Sequence, residues 1–447
     1  MKAIFFYLLI TFSQLGLAQE QQLLVGMASL DMKPKIGIPL AGYGDALRRI
    51  PDYVDWKFKY PDATLFKPSE GYHSQIRAKT MALKKGDRFL VFVSLDTIGI
   101  EEDFIHDLSL NLEQYGIKES DLFVSATHTH GGPGTLSHRF PLWLIAVDFF
   151  RQKNYDYILE MVTKNIEEAL ASLQPAELYK TSAQIQGIQR NKWRKLDTFD
   201  NKASFLVAKS KATGTWMGGL VNFAIHGGTM PIELMLYSSD VNGAIEKELE
   251  NLFDQKNLYA TQTPVFLFLN GAEGDVGATG GRSVEMVDEI GKKFITSAAN
   301  AFSSDKLIPV KSEFSSTKKR FFMGFPASPI KYCGSGWVAK LPSWVKVGLF
   351  PLLPDKSTIS QAQLGDITFL TWPGEPSTQL GWDLKDAARK QGSTDPWVLG
   401  LTNDYMAYFT TKEEFKEGSY DACSSLYGWK GGNRVIEAHK KLLAESK

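Results

Sequence analysis

A strand–helix–strand pattern over residues 89–126 constrains the fold of this chain more than any other feature. An apolar run over residues 89–95 is followed by helical spacing over residues 101–115, which Gly116 closes, and then by a second apolar run over residues 122–126. Two short apolar strands joined by one helix are typical of a βαβ unit, in which the strands are parallel. We therefore expect an α/β fold with a large mixed sheet, flanking helices and an active site at the C-terminal ends of the strands.

The first 18 residues predict a secretory signal peptide. Lys2 precedes an apolar segment over residues 3–12, and small residues lie just before a cleavage point ahead of Gln19. No later stretch reaches about 18 uninterrupted apolar residues, the length needed for a membrane span. We expect a secreted or periplasmic protein without a transmembrane helix, in which residues 19–447 form a single domain.

The charge balance bears on the kind of molecule that the protein binds, and the cysteine content bears on disulfide formation. The 50 basic residues balance the 50 acidic ones, so there is no basic excess to neutralise the phosphates of a nucleic acid. A small, neutral or lipid-like substrate remains compatible with this balance. The two cysteines, Cys333 and Cys423, either pair in an oxidising compartment or remain separate buried thiols, and the sequence leaves both alternatives open.

Three histidines lie at predicted strand ends with glycines close behind. His128 and His130 follow one strand, and residues i and i+2 of an extended strand point to the same side. His226 follows another strand, and Glu375 follows a third after a Pro-Gly pair. Imidazole is the commonest side-chain metal ligand, and a catalytic zinc ion takes about three ligands of the His/Glu kind plus one open position.

Simpler explanations exist for each of these residues. Paired histidines in a loop can hydrogen-bond to one another, and Glu375 fits the start of a helix, where the dipole favours a carboxylate. His106 and His439 lie in predicted helices and are expected at the surface or at a cap. The chain contains no Gly-x-Ser-x-Gly, no His-Glu-x-x-His and no phosphate-binding glycine loop. None of these motifs therefore indicates a mechanism other than zinc-dependent hydrolysis at the strand-end histidines.

Several stretches, taken in order, resemble the catalytic domain of the neutral/alkaline non-lysosomal ceramidases. They span most of residues 19–447, and the resemblance implies that this range is one catalytic domain of that fold. The matching stretches are Gly42-Tyr43-Gly44, residues 93–96, Thr127-His128-Thr129-His130-Gly131-Gly132-Pro133, Arg190-Asn191, residues 222–226, Ser238-Ser239-Asp240, residues 270–276, Pro373-Gly374-Glu375, residues 403–408, residues 410–415, Tyr420 and residues 424–428.

The resemblance implies a zinc amidohydrolase that cleaves the N-acyl bond of ceramide to a fatty acid and a sphingoid base. Zinc-activated water would attack the amide carbon, and His130 would donate a proton to the departing amine. The implied ligands of the single zinc ion are His128, His226, Glu375 and Tyr408, with Tyr405 as the alternative to Tyr408. The implied residues of the reaction centre and substrate head group are His130, Arg190, Tyr420 and Tyr427.

Two departures from the family leave the substrate open. Gly277 stands where the family has a serine that is important for activity, and the family's C-terminal immunoglobulin-like domain is not expected after the tyrosine motif. The alternatives are a hydrolase of the same fold that acts on another N-acyl lipid or ester, or a degenerate member that binds lipid without turnover. An apolar stretch over residues 320–353, with Trp337 and Trp344, could admit an acyl chain or contact a membrane, or simply pack as core.

Overall fold

The computed structural model describes residues 21–44, 46–49, 59–194, 198–257, 263–333, 337–342 and 345–445. The predicted signal peptide, residues 1–18, and Trp344 lie outside these ranges. Within them, no helix combines the length and the apolar character that a membrane crossing requires.

The strands are numbered in chain order. They are β1 Leu24–Asp31, β2 Gly71–Tyr72, β3 Arg77–Lys85, β4 Arg88–Leu95, β5 Leu122–Ala126, β6 Gln174–Gln184, β7 Gln189–Asn191, β8 Lys202–Ser210, β9 Trp216–Phe223, β10 Leu236–Tyr237, β11 Val265–Asn270, β12 Val276–Ala278, β13 Ile308–Val310, β14 Phe314–Phe322, β15 Ala327–Ser328, β16 Val347–Gly348, β17 Lys356–Leu364, β18 Ile367–Thr371, β19 Glu375–Pro376, β20 Asp395–Leu399 and β21 Tyr408–Phe409.

The helices are numbered in the same way. The α-helices are α1 Glu102–Leu112, α2 Phe140–Leu142, α3 Gln152–Ala171, α4 Asp240–Lys256, α5 Val284–Ala298, α6 Ile330–Cys333, α7 Thr378–Lys390, α8 Lys412–Glu417, α9 Tyr420–Ser424 and α10 Lys430–Glu445. Short 3₁₀ turns occur at Ala46–Arg48, Glu113–Tyr115, Glu119–Asp121, Ala299–Phe302 and Val338–Lys340, and Trp143–Val147 is a π-turn.

Two mixed sheets form the centre of the molecule. The larger has the order β11-β9-β8-β6-β1-β3-β4-β5, with β13 paired to β6, and the smaller has the order β14-β17-β18-β20. β4 and β5 are parallel and are joined by α1, so the predicted βαβ unit and the mixed-sheet α/β fold are confirmed. All five residues of β5 are buried, as expected of a strand that is covered on both faces.

The two sheets pack face to face, and helices cover their outer sides. Phe92 of the large sheet contacts Phe369 of the small one with ring centroids 4.8 Å apart, inside a core that both sheets share. α3 and α1 cover one part of the large sheet, α4 and α5 cover another, and α7 and α10 cover the small sheet. The result is a helix–sheet–sheet–helix arrangement that excludes water from both sheets.

The structure corrects one expectation and resolves one alternative. His439, expected at the surface or a cap, is fully buried where α10 meets the small sheet, and its Nε2 donates to the Thr371 carbonyl over 2.7 Å. Cys333 and Cys423 form a disulfide that ties α6 to α9.

Candidate metal centre and substrate cavity

Three strand ends bring the candidate metal ligands to one place. His128 and His130 follow β5, His226 follows β9, and Glu375 begins β19 shortly after β18. His128 has a φ of 66°, a left-handed value that is uncommon for residues other than glycine. The chain therefore turns off the strand at His128. The two histidines still converge, although the strict strand geometry assumed from the sequence ends at residue 126.

The candidate metal group consists of His128, His226, Glu273 and Glu375, whose donor atoms all lie within 4.8 Å of one another. Glu375 Oε2 lies 3.3 Å from His128 Nε2 and 3.7 Å from His226 Nδ1. Glu273 Oε2 lies 2.6 Å from His226 Nδ1. All four side chains are buried, so this is a compact, water-excluded cluster of two imidazoles and two carboxylates.

Neighbouring groups fix the orientation of the ligands. His128 Nδ1 donates to the carbonyl oxygen of Ile98 over 2.6 Å, which places a proton on Nδ1 and turns Nε2 toward Glu375. Tyr405 donates from its hydroxyl to Glu375 Oε1 over 2.7 Å. Metal-ligating histidines and carboxylates are usually held by such outer contacts, which set the tautomer and the direction of the lone pairs.

Two buried oxygens in this group have no hydrogen-bond partner among the described residues: Glu375 Oε2 and Glu273 Oε1. A buried acceptor without a partner is costly, and a buried carboxylate oxygen more so. Burial raises the pKa of Glu273. Burial also acts to raise the pKa of Glu375, but the charge of His128, its hydrogen bond to Glu375 and the charge of His226 together outweigh burial, so the pKa is lowered. Two imidazoles and two carboxylates around orphaned oxygens fit a divalent cation, and Zn²⁺ in particular accepts this mixture.

His130 occupies the cavity side of the group. Its Nε2 lies 3.0 Å from His226 Nε2, and its ring packs on Tyr43 with centroids 4.3 Å apart. Gly42, at a φ of 111°, permits this packing, because a Cβ there would lie 2.5 Å from His130 Nδ1. Burial, followed by the charges of His226 and His128, holds the pKa of His130 well below its usual value. The imidazole is therefore neutral at neutral pH.

The four tyrosines named from the sequence occupy different positions. Tyr405 contacts Glu375 directly, whereas Tyr408 lines the cavity and pairs its backbone with that of Glu375 in parallel register. Tyr420 also lines the cavity and is largely exposed. Tyr427 does not contact the metal group: its hydroxyl donates to the Pro354 carbonyl over 2.7 Å, on the far side of Met406. The structure thus brings Tyr405, Tyr408 and Tyr420 to the site and leaves Tyr427 apart.

Lys192 lies over Gly277, the position that departs from the family. A Cβ at residue 277 would lie 2.9 Å from Lys192 Cγ, so the lysine side chain fills the space that a larger residue would need. Lys192 Nζ lies 2.8 Å from His226 Nδ1. Arg190, paired with Gly277 across β7 and β12, donates from Nε to the Ala278 carbonyl over 3.0 Å and lines the same wall.

A cavity of about 990 Å³ opens above the metal group. Its wall is mainly apolar and includes Pro141, Leu144, Ile145, Leu349 and Leu426. The Cys333–Cys423 disulfide borders it and joins two segments of the rim. An apolar cavity with a few convergent polar groups at its floor is the usual form of a site for a small amphiphile.

Sequence reasoning missed two residues of this site, Glu273 and Lys192, and gave a third, Tyr405, a different role. Glu273 follows the end of β11 after Asn-Gly-Ala, so a carboxylate just past a strand end was available as an indication. Tyr405 was considered as an alternative zinc ligand but not as the partner of Glu375. Lys192 carried no local pattern at all, because its position depends on the pairing of β7 with β12.

Comparisons with known proteins agree with this architecture. Residues 62–318, more than half of the chain, match the family described as neutral/alkaline non-lysosomal ceramidase, N-terminal. The neutral ceramidase of Pseudomonas aeruginosa is 22% identical over 454 residues, covering 82% of this chain and 66% of that protein. Neutral ceramidase A of Dictyostelium discoideum is 22% identical over 474 residues, covering 80% of this chain and 66% of that protein. The chain thus spans slightly less than two thirds of the length of these relatives.

Solved structures give the same result for the fold. The crystal structure of neutral ceramidase from Pseudomonas aeruginosa superposes with a TM-score of 0.78 at 19% identity, covering 95% of this chain and 75% of that one. A structure described as ceramidase complexed with C2 also superposes with a TM-score of 0.78, at 18% identity. Together with the family match, these findings show that the chain belongs to the neutral/alkaline non-lysosomal ceramidase family.

Proposed function

We propose that this protein is a zinc-dependent amidohydrolase that cleaves an N-acyl, ceramide-like lipid to a fatty acid and an amine. The observation that carries the proposal is the buried group of His128, His226 and Glu375, with its orphaned carboxylate oxygen, at the floor of an apolar cavity. Membership in the ceramidase family supports the same reaction class.

We assign the zinc ion to His128, His226, Glu375 and Tyr408. The clustering of the first three donor atoms supports this assignment, and Glu273 is a further carboxylate within the same group. Tyr405 is the alternative tyrosine, and its contact with Glu375 suits it to a positioning role instead. An ion held there would supply Lewis acidity, which polarises a carbonyl group and lowers the pKa of a water molecule.

The remaining chemistry falls to the chain's own side chains. His130, neutral and facing the cavity, takes up a proton during attack and returns it to the departing amine nitrogen. Arg190 and the cavity tyrosines, Tyr408 and Tyr420, are placed to donate hydrogen bonds to oxygen atoms of the substrate. None of these steps requires a hydroxyl at residue 277. Tyr427, assigned to the substrate head group from the resemblance, acts in this scheme only through packing against Met406.

The apolar wall is suited to hold an acyl chain and to exclude water from the metal group. Three exposed aromatic side chains pack together: Phe325, which is 68% exposed, contacts both Phe322 and Phe350. Phe350 directly follows Leu349, which lines the cavity. A cluster of exposed aromatic residues is unusual on a protein surface without an apolar partner. We assign it to transient contact with a membrane surface, from which a lipid substrate enters the cavity.

The disulfide between Cys333 and Cys423 supports export of the protein to an oxidising compartment. Paired cysteines persist in oxidising compartments, and Cys333–Cys423 joins segments 90 residues apart in sequence. We therefore retain a secreted or periplasmic location as part of the proposal.

A second candidate function is lipid binding without turnover, and Gly277 is the observation that favours it. One experiment separates the two: zinc content is measured together with release of fatty acid from ceramide and from N-acylethanolamine. Stoichiometric zinc with hydrolysis that disappears in His130→Ala supports the amidohydrolase. Stoichiometric zinc without hydrolysis of any N-acyl lipid supports the binding protein, and absence of zinc after loading rejects the metal assignment.

A further inference from the structure

The cavity is lined by four basic side chains and by no carboxylate among the described residues. These four residues, the cationic wall, are Arg49, Arg190, Lys192 and Arg282. Glu273 and Glu375 do not line the cavity and belong to the candidate metal group, where a divalent cation would balance the two carboxylates. The charge of the cationic wall then has no counterpart in the cavity.

The basic residues of this wall are not neutralised by ion pairs. In the described part of the chain, no carboxylate lies within 4.0 Å of any of the four, whereas Arg139 pairs with Asp404 at 2.6 Å and Arg194 pairs with Asp421 at 2.9 Å. Arg190 donates from Nε to the Ala278 carbonyl, and Arg282 donates from Nε to the Gly228 carbonyl over 3.3 Å. Neutral acceptors hold these guanidinium groups in place and leave their charge uncompensated.

Part of the cationic wall lies next to the reacting groups. Lys192 Nζ is 2.8 Å from His226 Nδ1. The Arg282 guanidinium lies 4.8 Å from the centroid of the Tyr43 ring, which itself packs on His130. An acyl chain is uniformly apolar and fits the Leu349 and Leu426 side of the cavity. With the acyl chain on that side, the amine portion of the substrate would lie nearer to Lys192 and Arg282.

We propose that the substrate of this site is an N-acyl amine whose amine portion carries an anionic group, a carboxylate, phosphate or sulfonate. The inference rests on the proposed amidohydrolase function and specifies its substrate class. Arginine is always charged and binds such groups through paired, charge-assisted hydrogen bonds. Arg190 and Arg282 are exposed to solvent, so with a neutral head group water alone solvates their charges, whereas an anionic group would pair with them directly.

The reaction itself is ordinary amide hydrolysis. Water supplies the oxygen that joins the acyl carbon, the carbon–nitrogen bond breaks, and the amine leaves with the second proton of the water. The anionic group takes no part in the bond changes and serves only to bind and orient the amine portion.

A matched series of substrates tests the proposal. N-decanoylethanolamine, N-decanoyl-β-alanine, N-decanoyltaurine and N-decanoylethylenediamine share the acyl chain and the two-carbon spacer and differ only in the terminal group. With zinc-loaded protein below the critical micelle concentrations, we expect kcat/KM for the better of the two anionic compounds to exceed that for the ethanolamine by about tenfold or more. The two anionic arms distinguish carboxylate from sulfonate. Equal or higher kcat/KM for the ethanolamine overturns the inference.

Two variants connect the preference to the wall. Arg282→Gln lowers the anionic-to-neutral ratio of kcat/KM toward one. Arg88→Gln is the matched control, since Arg88 is an exposed arginine that also donates to a backbone carbonyl, at Phe314, but lies outside the cavity; it keeps the ratio. A ratio unchanged in Arg282→Gln contradicts the assignment.

Failure of the proposed function has a different signature. If zinc-loaded protein hydrolyses neither ceramide nor any member of the series, the amidohydrolase proposal fails, and the same four compounds are then titrated by calorimetry. Tighter binding of an anionic member supports the inference about the cavity, and equal affinity for all four overturns it.

Discussion

Tyr405 donates its hydroxyl hydrogen to Glu375 Oε1 over 2.7 Å, while Glu375 Oε2 faces the two histidines. Burial and the charge of Glu375 raise the pKa of Tyr405 well above its usual value, so the hydroxyl remains a donor. One carboxylate oxygen is thus held by the protein and the other is directed at the metal position. Such a contact fixes the ligand without requiring Tyr405 to bind the ion.

Tyr405→Phe is expected to weaken zinc affinity by about 10- to 100-fold, the usual cost of removing an outer hydrogen bond to a ligand. Competition with a zinc chelator of known affinity measures the change. Tyr408→Phe is the companion variant: as a direct ligand, Tyr408 should matter at least as much to affinity. Unchanged zinc affinity in Tyr405→Phe would show that the hydrogen bond from Tyr405 does not position Glu375. Unchanged zinc affinity in Tyr408→Phe would remove Tyr408 from the ligand set.

His226→Ala and His130→Ala should separate metal binding from proton transfer. His226 contacts both carboxylates of the metal group, so its loss should abolish stoichiometric zinc binding. His130→Ala should retain zinc and lower kcat by about 10²- to 10⁴-fold, the range for loss of a general acid–base group. Metal analysis of the purified variants, followed by steady-state kinetics, checks both. Zinc retained in His226→Ala would refute the site.

Restoring a hydroxyl at residue 277 should not raise activity. In Gly277→Ser the new Cβ would meet Lys192 Cγ at 2.9 Å and displace the lysine from its position beside His226. We expect lower kcat/KM and a destabilisation of about 1–3 kcal/mol, the usual cost of overpacking, measured by urea unfolding. Gly277→Ala separates the effect of the Cβ from that of the hydroxyl. Higher activity in Gly277→Ser would mean that Lys192 moves aside at no cost.

His439 predicts part of the pH dependence of stability. Burial lowers its pKa to about 4, because the charged form cannot be solvated between α10 and the small sheet. The unfolded chain takes up this proton near pH 6.5. Between about pH 6.5 and 4 the unfolded state therefore binds more protons, and stability falls as the pH falls, by up to about 1.4 kcal/mol per pH unit.

His439→Gln should make that slope shallower, and urea unfolding at several pH values measures it. The exposed His106 gives the control variant, His106→Gln, which should keep the slope of the unsubstituted protein. The difference between the two variants isolates His439 from the histidines of the metal group. Equal slopes in the two would contradict the prediction.

The local pattern of apolar residues was sufficient to predict many strands and helices. The features that it did not predict depend on contacts between segments that are distant in sequence. Leu122–Ala126 was predicted with its observed bounds, because a short apolar run flanked by polar residues is a strong local pattern. His439 was misplaced because helical spacing does not reveal which sheet covers a helix. The stacking of the two sheets has no periodic signature, so the contact between Phe92 and Phe369 could not be foreseen.

In the candidate site, too, some residues were predicted from the local sequence and others were not. His128, His226 and Glu375 each follow an apolar strand, and this shared position made them visible. Their convergence came from the family resemblance, since no local rule places strand ends from different sheets together. Lys192 depended on the pairing of β7 with β12 and was invisible until the register was known.

The proposed ligands belong to two sheets: His128 and His226 follow β5 and β9 of the large sheet, and Glu375 follows β18 of the small one. An ion shared by these residues is a cross-link between the sheets that can be removed by a chelator. With the ion bound, separation of the sheets requires its release, so stability rises with free zinc by mass action. Amide hydrogen exchange in β5 and β18 should then occur through one common opening in the zinc form and through two independent openings after chelation.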